Sequence, residues 1–296
     1  MSEYQIFSDS SCDTDGALLK EMGVIRIPFY VSFDQVNYEK EIEEISLERF
    51  YERLTSEKIF PKTSLPSVAD YRQHFEQAIK RGKDVLCICI TSKFSGSFQS
   101  AITAKTLLEE KYPEASIYIV NSLQATGGQG LTVLEAAKMQ IAGYSIEDNY
   151  NTLNKLSDTS RIMFTVGTLE YLERGGRVGK AKSLAGSLLS LKPLIELYDG
   201  ELMPYGTVRG RKRSLDRPID MLREYFEKRK ENYQDYTFGI ISGYSSEDEA
   251  VVFKKKIEEL IGHPIDLPYF QVGVTIGTYT GPDPVGVCFI RKFDKI

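Results

Sequence analysis

The sequence predicts an α/β fold. An N-terminal α/β domain over residues 1–160 carries a mostly parallel sheet with flanking helices, and a smaller C-terminal α/β domain covers 161–296. Three observations predict this. Short apolar strands alternate with helix-period segments through the first half, the pattern of βα units and so of a parallel sheet. Asp84-Val85-Leu86-Cys87-Ile88-Cys89-Ile90 is a continuous apolar run, as in a strand buried on both faces. With 296 residues, 42% of them hydrophobic, the chain has apolar material for more than one domain.

The elements follow in order. Gln5 to Ser8 reads as a strand, and Asp13 is placed to cap the helix after it. Val24 to Val31 reads as the next strand, with a hairpin-like extension over about 26–45. Ser46 opens a helix to Thr55, with Glu48-Arg49 near capping-box register. Ser67 caps a clearer helix that puts Tyr71, Phe75, Ala78 and Ile79 on one face. The strand to Ile90 precedes a helix over 96–111, a strand over 116–120 and a small-residue helix near 128–142. The second half opens with a strand from Ile162 to Val166 and the glycine-basic loop Arg174-Gly175-Gly176-Arg177. A small-residue helix follows from Ala181 to Leu191, then a hairpin at Asp199-Gly200. A charged helix from Lys212 to Arg229, a strand over 236–242, a helix over 246–261 and two closing strands complete the chain. The glycine-rich run Gly273 to Val287 reads as strands joined by a tight turn. No linker of low complexity separates the halves, so a cleft between them is the expected ligand site.

Composition narrows the classes. A net charge of −5 argues against a general nucleic-acid or membrane-surface protein. The N-terminus has no basic region followed by an apolar one, so no secretory signal and a cytoplasmic location are expected. No apolar stretch is long enough to span a bilayer. Cys12, Cys87, Cys89 and Cys288 read as buried thiols of a reducing compartment. His74 and His263 are not at ligand spacing to any cysteine pair, so no metal is expected.

The loops carry the remaining signal. Ser8-Asp9-Ser10-Ser11-Cys12-Asp13 follows the first strand, where α/β proteins place ligand-contacting loops. It reads equally as a turn or as a hydroxyl-rich rim of a site. Thr63-Ser64-Leu65-Pro66-Ser67 feeds a helix start and is mostly capping chemistry. Thr91 to Ala101 follows the buried strand and opens a helix, whose free N–H groups favour an anion. Arg174 to Lys180 fails the P-loop spacing. With Arg209-Gly210-Arg211-Lys212-Arg213 it forms either a docking patch or a solvated face. No nucleophile–base pair is evident: there is no G-x-S-x-G elbow, and the loops hold no histidine.

Taken together these motifs resemble the DegV family, whose characterised members are the fatty-acid-binding subunits of bacterial fatty acid kinase. The matching pieces are Ser8 to Ser11, Thr63-Ser64-x-Pro66-Ser67, Phe94-Ser95-Gly96-Ser97-x-Gln99-Ser100-Ala101, Leu172-x-x-Gly175-Gly176-Arg177 with Lys192-Pro193, and Thr280-Gly281-Pro282. They run from the first strand to the last. The resemblance implies two α/β domains enclosing one long-chain fatty acid, with no metal and no cofactor beyond that ligand. It implies that Thr63 and Ser95 bind the carboxylate, with Ser64 and Gly96 beside them and Tyr279 and Thr280 from the last motif. The family pattern has histidine at Tyr279, glycine at Asp283 and glutamine at Leu65. Arg177, and Arg209 with Arg211, match the loops that dock the kinase. The resemblance thus implies a non-catalytic subunit that presents its acid to the kinase, without nucleic acid and without membrane insertion.

Other classes stay open at this point. One is a carrier of a different lipid or hydrophobic acid, with Tyr279 as selector. Another is a small hydrolase or phosphotransferase using Asp9, Asp13 and the serine loops. A nucleic-acid binder is least favoured, because aromatics do not interleave the basic loops.

Overall fold

The computed structural model describes residues 3–57, 59–184 and 191–296. β1 (Tyr4–Asp9) leads into a 3-10 turn at Ser10–Cys12 and then α1 (Gly16–Glu21). Asp13 does not cap that helix. It sits in the left-handed region at φ 47° and ends the 3-10 turn, while Asp15 accepts the Leu18 amide at 2.9 Å and is the cap. The side chain of Asp13 is turned inward instead, towards Glu41 and Gly273. The expected strand Val24–Val31 is also two: β2 (Val24–Ile27) and β3 (Tyr30–Ser32) flank Pro28, which has no N–H for a ladder. β4 (Glu39–Lys40) pairs antiparallel with β3, α2 (Leu47–Ser56) follows, and β5 (Lys62–Ser64) pairs with the other edge of β3. The hairpin-like extension is therefore a three-stranded sheet that brings Thr63 into register with Val31.

α3 (Val68–Ile79), β6 (Asp84–Cys89), α4 (Ser97–Lys111), β7 (Ile117–Asn121), α5 (Thr126–Ile141) and α6 (Ile146–Ser157) complete the first half. Ser67 and Asp70 form a reciprocal capping box at α3. The first sheet has the order β2-β1-β6-β7 and is parallel throughout. β6 is buried along its whole length because both faces are covered. Val85, Cys87 and Cys89 pack with α3 and α4, while Leu86, Ile88 and Ile90 share a core with α5 and α6. Cys87 and Cys89 share a face with their sulfurs 3.8 Å apart, and all four cysteines are free and buried.

The second half contributes β8 (Arg161–Thr165), α7 (Glu170–Arg174), β9 (Leu191–Tyr198), β10 (Glu201–Arg209), α8 (Arg211–Arg229), β11 (Tyr236–Ser242), α9 (Glu247–Ile261), β12 (Phe270–Gln271), α10 (Val274–Thr280) and β13 (Val285–Arg291). Their sheet has the order β10-β9-β8-β13-β11-β12, antiparallel except for β11 with β12. Asp199 and Gly200 both take positive φ, the turn a two-residue hairpin needs.

Two expectations fail here. The helix expected over Ala181 to Leu191 is a 3-10 helix through Leu184, and Leu191 already begins β9; residues 185–190 lie outside the described residues. The run from Gly273 to Val287 is paired strand only from Val285, where β13 begins; its first part is α10. Its Val, Thr and Ile favour strands by local preference, and a tertiary contact overrides this: Glu41 accepts the Thr275 amide at 3.0 Å and the Thr275 hydroxyl at 2.8 Å. Gly273, at the N-cap, has no side chain to do so.

α5 ties the halves together. A Cβ on Gly127 would meet Cys288 Sγ of β13 at 2.7 Å, and one on Gly130 would meet the Cys12 carbonyl at 2.7 Å. The helix thus lies against both sheets, and the largest core cluster joins Leu86 and Ile88 of β6 to Ile162 of β8 and Cys288 of β13.

Candidate ligand-binding site

An apolar cavity lies between the two sheets. It encloses about 920 Å³ of non-atom space, counting its open mouth. Ile90, Ile162, Phe164, Leu197, Leu202 and Ile276 give it hydrocarbon walls. These residues come from the C-terminal side of β6, from three strands of the second sheet and from α10, so neither half forms the cavity alone.

Polar groups gather at one place on this wall. Thr63, Ser95, Gly96, Tyr279, Thr280 and Arg177 all line the cavity. The Thr63 and Tyr279 hydroxyl oxygens are 2.7 Å apart, so one donates to the other and one proton remains for a ligand. Ser95 Oγ accepts the Ser97 amide at 3.2 Å, which occupies a lone pair and leaves its proton free. Arg177 bridges the two sides: Nε donates to the Phe94 carbonyl at 3.2 Å, and the guanidinium lies 5.0 Å from the Tyr279 ring centre. Its Nη1 donates to the Gly175 carbonyl at 2.8 Å. At Gly175 any Cβ would fall 2.6 Å from Tyr279 Cε1, so glycine is what lets the ring lie on this loop. The result is a hydrocarbon chamber with neutral hydroxyl donors and one stacked cation, a set suited to a single carboxylate on a long apolar tail.

Ser64 does not join this group. It follows Thr63 in β5, and alternation turns its exposed side chain away. Arg209 is exposed at the end of β10 and does not line the cavity. Arg211 is not a free surface cation. It forks onto Glu249, with Nε 3.1 and 3.0 Å from the two carboxylate oxygens, and Nη2 donates to the Asp283 carbonyl at 2.7 Å. Asp283, where the family pattern has glycine, accepts the Gly167 amide at 3.0 Å. Leu65 lines the cavity and would touch a Cβ on Gly96 at 3.2 Å.

Sequence reasoning missed Thr126 and Thr275, which also line the cavity. Thr126 starts α5 at φ 43°, rare for a β-branched residue. A signal existed, since the loop after β7 stands at the C-terminal edge of the parallel sheet, where ligands bind.

The buried acids stand behind the cavity. Asp9 is fully buried and does not line it. Asp13 and Glu41 face one another: a Cβ on Gly273 would be 2.6 Å from Asp13 Oδ1 and from Glu41 Oε1, so those oxygens are at most twice that distance apart. Glu41 Oε2 accepts the Ser10 hydroxyl at 2.6 Å. Burial first, and the charge of Glu41 second, push the Asp13 carboxyl well above the usual carboxylate range, and burial also raises Glu41. A carboxyl raised by folding adds stability below its unfolded value of about 3.9 and loses it as pH rises through the folded value. Asp13→Asn removes that titration. The variant is therefore expected to gain stability relative to the parent as pH rises from about 4 to about 8, by about 1.4 kcal/mol for each unit of the shift. Denaturant melts of both proteins at the two pH values check it.

Among the described residues no three His, Cys, Asp or Glu side chains converge as metal ligands, and no helix is long and apolar enough to cross a membrane.

The architecture and site define an α/β protein with an apolar inter-sheet chamber that carries hydroxyls and one guanidinium on its wall. The DegV family model matches residues 3–292, and the chain belongs to that family. It is 33% identical over 293 residues to a DegV domain-containing protein of Clostridium perfringens, covering 98% of each chain. Among solved structures it is similar to a stearic-acid-binding protein from Eubacterium ventriosum, with a TM-score of 0.94 and 35% identity over 99% of this chain and 100% of that one. It is also similar to a fatty-acid-binding DegV family protein from Thermus thermophilus, with a TM-score of 0.86 and 28% identity over 98% and 100% of the two chains.

Proposed function

We propose that this protein binds one long-chain fatty acid in the inter-sheet cavity and presents its carboxylate to a fatty acid kinase, which converts it to an acyl phosphate. The observation that carries the reading is the apolar cavity with the Thr63, Ser95 and Tyr279 hydroxyls gathered on its wall. The similarity to fatty-acid-binding relatives over nearly the whole chain supports it.

The energetics favour this division of labour. Each buried methylene contributes about 0.8 kcal/mol, so a tail with about fourteen of them supplies on the order of 11 kcal/mol before the costs of binding. The head group then needs only orientation and satisfied hydrogen bonds. Neutral hydroxyls provide both and leave the carboxylate oxygens nucleophilic. Arg177, held by two backbone carbonyls and by the Tyr279 ring, supports the hydroxyls from beside them.

On this reading residues 1–160 and 161–296 are the two domains, and the cavity is their seam. The chain performs no chemistry of its own and works in the cytoplasm, where the kinase supplies nucleotide and metal. Arg177 on the cavity wall and Arg209 on the surface face the partner, with the exposed Lys212 and Arg213 beside Arg209. Arg211 contributes by fixing the start of α8 through Glu249.

Solvent extraction of the purified, undenatured protein followed by mass spectrometry tests the reading. One equivalent of a long-chain fatty acid is expected. A protein that yields none, and takes up none when hexadecanoate is added, overturns it.

A further inference from the structure

We propose that Ser97, whose hydroxyl is held by Asp9, is the residue that positions Ser95 against the ligand carboxylate. The inference rests on the reading of the cavity as a fatty-acid site.

Asp9 ends β1 and is fully buried between β2 and β6. Oδ1 accepts the Ser11 hydroxyl at 2.5 Å and Gln129 Nε2 at 2.8 Å. Oδ2 accepts the Ile90 amide at 3.0 Å and the Ser97 hydroxyl at 2.8 Å. Both oxygens are thus occupied, and neither reaches a space a substrate could enter. Asp9 has no role as a nucleophile here; its work is to hold its donors in place.

The donors on Oδ2 are the two ends of one loop. Ile90 is where the chain leaves β6, and Ser97 is where it enters α4. Between them lie Phe94, Ser95 and Gly96, which all line the cavity. A single carboxylate oxygen therefore clasps the loop at both ends.

The chain of donors has a fixed direction. Asp9 takes the Ser97 proton, so the Tyr71 hydroxyl, 2.6 Å from Ser97 Oγ, donates to Ser97. Ser97, held by its side chain, then directs its amide to Ser95 Oγ at 3.2 Å. Ser95 is left with its own proton for the ligand. Capping alone does not require this, since Gly96 and not Ser97 is the N-cap of α4 and makes no side-chain cap.

The test is a double-mutant cycle on the delipidated full chain, with hexadecanoate as the probe. Ser97→Ala and Ser95→Ala are each expected to weaken binding by about tenfold, and the double variant to bind no worse than Ser95→Ala alone. A general loss of structure would add to the Ser95→Ala defect instead. Ser97→Thr keeps the hydroxyl and is expected to bind within about threefold of the parent. Additive losses, or unchanged binding by Ser97→Ala in a parent that binds hexadecanoate, overturn the positioning role and leave the cavity reading intact. A parent that takes up no hexadecanoate overturns both. If Ser97→Ala does not fold, Ser97→Val, the isostere of Ser97→Thr without the hydroxyl, replaces it: a tenfold loss relative to Ser97→Thr supports the role, and equal affinity of the two overturns it.

Discussion

Gly175→Ala is expected to weaken binding of hexadecanoate by roughly tenfold to a hundredfold, the range one or two hydrogen bonds to a charged group command. The new methyl would fall within 2.6 Å of Tyr279 Cε1, so the ring must leave the loop. Two contacts go with it, the hydroxyl pair with Thr63 and the stacking of Arg177. The backbone itself accepts alanine at this position, because Gly175 has ordinary helical angles of φ −77° and ψ −11°. The loss therefore comes from the displaced tyrosine. Tyr279→Phe separates the two contributions, since it keeps the ring and the stacked cation and removes only the hydroxyl. Its affinity is expected to fall between parent and Gly175→Ala. Titration of delipidated protein checks both variants. Parent-like affinity for Gly175→Ala would show that Tyr279 takes no part in holding the acid.

Gly130→Ala is expected to cost about 3 kcal/mol of stability, at the upper end of ordinary overpacking. In an isolated helix the same change would stabilise by about 1 kcal/mol, because glycine is a poor helix former. Packing reverses the sign. The added Cβ would lie 2.6 Å from Thr14 Oγ1 and 2.7 Å from the Cys12 carbonyl, and it would overlap the Phe270 ring. Two of these neighbours belong to the loop after β1, and the third belongs to β12 of the other sheet. The helix cannot retreat from one without pressing on its other contacts, and a backbone carbonyl does not swing aside as a long side chain does. Denaturant unfolding at fixed pH measures the loss. A stability equal to or above that of the parent would mean that α5 has more room than its close approach implies.

The sequence made the repeated βα units legible because each strand of the first sheet is a short apolar run and α1, α2, α3 and α6 each start at a side-chain cap. Asp84 to Ile90 could be read as doubly buried from composition alone. Misreadings arose where a distant residue decides the local structure. Nothing near Thr275 indicates that its amide is taken by Glu41, more than two hundred residues earlier, so a β-branched run was read as strand. Asp13 has the chemistry of an N-cap, but the fold points it at Gly273 and Glu41 instead. The site divided the same way. Thr63, Ser95, Gly96, Tyr279 and Thr280 sit in loops or at element ends whose motifs carry the family resemblance, and the structure brings them to one cavity. Thr126 carries no such motif in the reading of the sequence, and Arg211 resembled a surface cation until its partners Glu249 and Asp283 came into view. Ser64 shows the period-two rule at its smallest scale: one residue along a strand separates a cavity hydroxyl from a solvated one.

The four buried thiols give the molecule a built-in clock. Burial pushes the Cys12 thiol up to about 11 and also raises Cys87 and Cys288, so none of these three is a ready thiolate at neutral pH. An alkylating reagent therefore reacts at a rate set by how often the protein opens. Cys12, Cys87 and Cys89 report on the parallel sheet and the loop beside it, and Cys288 reports on the mixed one. The order in which the thiols are labelled, with and without added fatty acid, thus times the two halves separately and records which of them yields first.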